Sequence, residues 1–120
     1  MNLNGILLGT DEPTRLVDYY TALFGEPAGS EGGYTWWQVG TGGIAVGAHS
    51  EVSGKNVHPG RVIWNIESSD VRGDFDRLKA AGAIVISEPY GPDGVPEGVE
   101  MLVATFADPD DNYFQLVSPM

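Results

Sequence analysis

The chain has 120 residues, with 17 Asp or Glu against 6 Lys or Arg, for a formal charge of −11 at pH 7. With no basic run among Arg15, Lys55, Arg61, Arg72, Arg77 and Lys79, that balance argues against nucleic acid and anionic membranes as partners. Cysteine is absent, which excludes disulfides, thiolate metal sites and thiol nucleophiles. At 42% hydrophobic and 19% charged, the composition is that of one globular domain. No apolar run approaches the ~20 residues that span a bilayer. Met1-Asn2-Leu3-Asn4 lacks a basic secretory start, so the expected compartment is the cytoplasm.

Leu3 to Leu8 is a short apolar run, expected to be a strand. Asp11-Glu12-Pro13-Thr14 has the acidic residues and the proline of a helix start. Leu16, Tyr19 or Tyr20, Leu23 and Phe24 then recur at helical spacing, and Gly25 with Pro27 ends the helix. Tyr34-Thr35-Trp36-Trp37-Gln38-Val39 is dense in strand formers. Gly40 to Gly43 supplies a turn, and Ile44 to about His49 a returning strand. Residues 51–60 are polar and broken by Gly54, Pro59 and Gly60, and are expected to link two halves.

The pattern repeats after the linker. Arg61 to Glu67 alternates, with Val62, Trp64 and Ile66 on one face and Ile63, Asn65 and Glu67 on the other. Ser69-Asp70 caps a helix carrying Val71, Phe75, Leu78 and Ala81, which Gly82 ends. Ala83 to Ile86 is expected as a strand, Glu88 to Gly98 as a long loop, and Val99 to Phe106 as a strand. Asp108 to Asn112 is read as a turn, since Asp and Asn bond their own backbone, and Tyr113 to Val117 as the last strand. The expected fold is therefore α+β: two βαβββ modules forming a curved mixed sheet with helices outside and a concave cleft within. Module 1 covers about residues 1–50 and module 2 about 61–120.

Three segments carry a resemblance. They are Arg15 to Gly25, Asp70 to Gly82 followed by Glu88-Pro89, and Phe106-Ala107-Asp108-Pro109-Asp110 through Asn112-Tyr113-Phe114-Gln115-Leu116. With the repeat, they make the chain resemble the vicinal oxygen chelate superfamily of glyoxalase I, extradiol dioxygenases and fosfomycin and bleomycin resistance proteins. Enzymes of that family bind one divalent metal through His, Glu or Gln from the first and last strand of each module. The matching positions here are Asn4 or Gly5, a residue near Gly47, a residue near Ile63, and Gln115. Only Gln115 is a plausible ligand, and neutral amides hold divalent metals weakly. The resemblance implies the fold and a homodimer, while the residues argue against the metal, so no cofactor is expected.

Candidate site residues follow from alternation. Gln115, Tyr113, Asn65 and Glu67 are expected opposite the helix-packing Phe114, Leu116, Trp64 and Ile66, as polar anchors of an apolar cleft. Trp36 and Trp37 fall on opposite faces, one for the core and one for a planar ligand or a dimer contact. His49 ends a strand where an acid or base would face the cleft, and Tyr90 lies in the long loop as a closing residue. The leading expectation is a metal-independent protein that sequesters a small molecule. The alternative is a metal-dependent lyase, isomerase or dioxygenase of the glyoxalase type, built on His49 with a carboxylate. Acid/base catalysis without a cofactor, through Glu67 or His49, is a third possibility.

Overall fold

The structure, a computed structural model, describes residues 1–120. It divides into two compact units, Met1–Lys55 and Asn56–Met120. Each is a βαβββ module with a four-stranded mixed sheet.

Module 1 contains β1 (Gly5–Thr10), α1 (Pro13–Phe24), β2 (Gly29–Glu31), β3 (Tyr34–Val39) and β4 (Gly42–Ala48), with the sheet ordered β1-β4-β3-β2. Strand β1 pairs in parallel with β4, and the others pair antiparallel. A parallel pair needs a crossover, and α1 begins it, packing its apolar stripe on one sheet face. That stripe is Leu16, Tyr20 and Leu23, all buried with Trp37, Ile44 and Val46 of the sheet. Trp37 holds the end of the helix through its indole N–H, which donates to the Gly25 carbonyl at 2.9 Å. Gly25 itself sits at φ 87, a left-handed conformation that glycine adopts without a Cβ penalty.

Module 2 contains β5 (Ile63–Glu67), α2 (Val71–Ala80), β6 (Ile84–Tyr90), β7 (Val103–Ala107) and β8 (Tyr113–Val117). Its sheet runs β5-β8-β7-β6, again with one parallel pair, β5 with β8. Helix α2 buries Val71, Phe75 and Leu78. Its core is an aromatic stack: Phe75 lies 5.4 Å from Phe106, Phe106 5.3 Å from Phe114, and Phe114 4.8 Å from Trp64. The Asp70 carboxylate caps the helix by accepting from the Gly73 N–H at 3.0 Å. Asp108 closes the β7–β8 turn, one carboxylate oxygen accepting from the Asp110 and Asn112 N–H groups and the other from the Asn112 amide.

Strand β1 begins at Gly5 rather than Leu3 and β5 at Ile63 rather than Arg61, and three elements depart further from the sequence reading. Strand β2 was not expected, because Gly29-Ser30-Glu31 has no apolar pattern; its pairing with β3 makes it a strand. Strand β6 runs on to Tyr90 through two register shifts, although Pro89 suggested a loop. Prolines are tolerated at a bulged sheet edge, and β6 is such an edge. Strand β7 begins at Val103 rather than Val99.

Candidate functional site

Each sheet has one face under its helix and one helix-free face, and strand register assigns residues between them. In module 2, Asn65 lies across from Gln115, and Gln115 across from Thr105. The Gln115 side-chain amide donates to the Thr105 hydroxyl at 3.0 Å, so these side chains share a face. The next rows are Ile63, Tyr113 and Ala107 on one side, and Glu67, Val117 and Val103 on the other. The helix-free face of module 2 is thus a polar row flanked by apolar and aromatic groups, with Glu67 exposed at its edge. Trp64, Phe114 and Leu116 lie on the opposite face, as alternation requires.

In module 1 the helix-free face is rich in glycine, above all on β1 and β4. Its rows are Gly5, Gly43 and Gln38; Leu7, Ala45, Trp36 and Gly29; and Gly9, Gly47, Tyr34 and Glu31. Two aromatic rings cover glycines: a Cβ on Gly29 would run into the Trp36 ring, and one on Gly47 into the Tyr34 ring. Leu7 remains 53% exposed, and Trp36 37%. His49 continues this face past the end of β4, lying over Gly9, whose Cβ would meet that of His49 at 2.9 Å. The imidazole Nδ1 accepts from the Glu51 N–H at 3.2 Å.

The structure therefore gathers Asn65, Gln115 and Tyr113 on one face of module 2, and Trp36 and His49 on one face of module 1. Trp37, named beside Trp36 for the ligand, is 2% exposed and belongs to the core, because adjacent strand residues point to opposite faces. Tyr90 is the last residue of β6, across from Val103, not part of a loop. Sequence reasoning missed Thr105, whose position beside Gln115 depends on which strands pair. An open groove of about 260 Å³ on the α2 side, lined by Arg72, Phe75, Asp76, Glu88 and Pro89, contains none of the expected site residues.

Strands β1 and β4 offer no donor atoms to a divalent metal. On the helix-free face, β1 and β4 contribute Gly5, Leu7, Gly9, Gly43, Ala45 and Gly47, none of which has a coordinating side chain. No three His, Asp or Glu side chains anywhere are grouped as a metal would need.

Residues 5–117 match the family model described as a glyoxalase-like domain. The chain belongs to that family, within the vicinal oxygen chelate superfamily. Solved structures of similar fold include a glyoxalase-related enzyme from Fulvimarina pelagi, with TM-score 0.73, 18% identity and coverage of 98% of this chain and 88% of that one. A glyoxalase/bleomycin resistance protein/dioxygenase from Nocardioides has TM-score 0.73 and 17% identity, over 98% and 83% of the two chains. A family enzyme from Burkholderia phytofirmans PsJN has TM-score 0.72 and 20% identity over the whole of both chains. No curated protein matches the chain. No helix is long and apolar enough to cross a membrane.

Proposed function

We propose that this protein binds a small molecule on its helix-free sheet faces and sequesters it without a metal and without turnover. One observation carries the reading: glycine, alanine and leucine occupy the face of β1 and β4, the module 1 strands among those from which the family's metal ligands come. What these faces offer instead is suited to binding. Trp36 and Tyr34 present ring surface over glycine, and Gln115, Asn65 and Thr105 present hydrogen-bonding groups amid apolar neighbours. In this reading the protein acts in the cytoplasm as a homodimer, the latter checked by light scattering in solution.

Elemental analysis of protein purified without chelator and then dialysed tests the reading. The expected result is far less than one divalent metal per chain, with no thermal stabilisation by Mn²⁺, Ni²⁺, Zn²⁺ or Fe²⁺. About one tightly held metal per chain, lost in His49→Ala, overturns it in favour of a glyoxalase-type enzyme.

A further inference from the structure

The charges on the module 2 face go further than the presence of a site and name the class of its ligand, on the premise that this face binds a small molecule. None of the eight strands contains a lysine or an arginine. The six cations lie in α1 (Arg15), in α2 (Arg72, Arg77, Lys79) and in the connecting chain (Lys55, Arg61). Arg72 lines the α2 groove with Asp76 and Glu88, and Arg61 sits in a turn closed by its own N–H to the His58 carbonyl. It precedes β5 while Glu67 ends it, so about 20 Å separates them at roughly 3.3 Å per residue. Glu67 is thus the only charged side chain among the β5, β7 and β8 residues of this face, and no lysine or arginine pairs with it.

The neutral groups beside it point the same way. Gln115 donates one amide N–H to the Thr105 hydroxyl, and its carbonyl oxygen remains available as an acceptor. Asn65, directly across from Gln115 and two residues from Glu67, adds a second amide oxygen. The carboxylate and the two amide oxygens thus occupy neighbouring rows, and Tyr113 lies in the row on the other side of the amides from Glu67. An anionic ligand finds no counter-charge there and meets Glu67 instead.

We propose that the helix-free face of module 2 selects a flat organic cation bearing N–H donors, such as a protonated aromatic amine or amidine, and rejects carboxylates, phosphates and phosphonates. Glu67 sets the charge preference, Gln115 and Asn65 accept the N–H groups, and Tyr113 contacts the ring.

Three probes of one shape test this: 9-aminoacridine as cation, acridine as neutral compound and acridine-9-carboxylate as anion. Affinities are measured by calorimetry at about physiological salt, where distant charges are screened, and the site is located by chemical-shift changes at residues 113–117. The cation is expected to bind at least roughly tenfold more tightly than the anion. Glu67→Gln should remove most of that gap while leaving acridine within about twofold. Glu88→Gln, which removes the same charge beside the α2 groove, should leave the gap intact. Thermal melts of both variants establish that they fold. A carboxylate that binds as well as the amine, or a gap that survives Glu67→Gln, overturns the proposal. If all three probes bind equally at residues 113–117, only the charge selection falls. If none perturbs them, the binding reading of this face falls as well.

Discussion

The two modules share a topology, strand for strand, yet their helix-free faces are built from different chemistry. In module 1 that face is mostly glycine, with two aromatic rings over it and Leu7, Gln38 and Glu31 beside them. In module 2 it is an amide and hydroxyl row edged by a carboxylate. The helix-covered faces, by contrast, are alike: each is an aliphatic and aromatic core under a helix with buried positions at i, i+4 and i+7. Folding depends on the covered face, which excludes water, so its composition is constrained in both modules. The helix-free face carries no helix and is free to differ, although in module 2 its β7 residues Val103, Thr105 and Ala107 are buried as well.

The comparison breaks most readily at the paired tryptophans of β3. Trp37→Ala should cost about 3–5 kcal/mol, because it empties a buried site and removes the bond to Gly25. Trp36→Ala, one residue away on the helix-free face, should cost less, about 1–2 kcal/mol, because its ring is only partly buried. Urea denaturation of the two variants measures the difference, and equal losses would refute the assignment of faces. The glycine face gives the next effect. A Cβ on Gly5 would strike the Gly43 carbonyl, which is backbone and cannot swing aside, so Gly5→Ala should cost about 1–3 kcal/mol. A Cβ on Gly29 strikes only the Trp36 ring, which can rotate away. Gly29→Ala should therefore cost less and change the tryptophan emission.

The helix starts sharpen the contrast further. Asp70 caps α2 through its side chain, whereas Glu12 makes no such bond to α1. Asp70→Ala should cost about 1 kcal/mol and Glu12→Ala less than about 0.5 kcal/mol, read from the same denaturation curves. The smallest effect is a pH dependence. The Asp74 carboxyl is held below its ordinary value of 3.8, first by the Ser68 hydroxyl at 2.6 Å and then by Arg77 at 3.0 Å, with a small opposing effect of burial. A lowered folded-state value means the carboxylate stabilises the fold fully above the unfolded value. That contribution disappears as pH falls through the lower folded one. Ser68→Ala should therefore lose less stability than the native protein between about pH 6 and about pH 3. Nuclear magnetic resonance titration should show Asp74 moved up toward 3.8 in that variant.

Much of the fold was legible before any coordinates. The i, i+4 spacing of Leu16 and Tyr20 and of Val71 and Phe75, with glycines 25 and 82 after them, marked both helices and their ends. Alternation alone separated Gln115 and Asn65 from Phe114 and Trp64, and the faces agree with it. Alternation could not say which of Trp36 and Trp37 faced the core, since either parity places one tryptophan inside. Strand β2 and the tail of β6 were missed for a different reason: neither has an intrinsic strand pattern, and both exist because a neighbouring strand offers hydrogen bonds.

The sequence by itself determined the duplicated α+β plan, because hydrophobic spacing and glycine or proline punctuation are local properties that act within a few residues. It also limited any metal site to two histidines, carboxylates and amides, since cysteine is absent. Tertiary structure alone decided that Thr105 stands beside Gln115, ten residues away, and that Tyr34 and Trp36 lie over Gly47 and Gly29. Those neighbours are set by strand order and register. These are fixed only when separate stretches of chain pair and bury a common core.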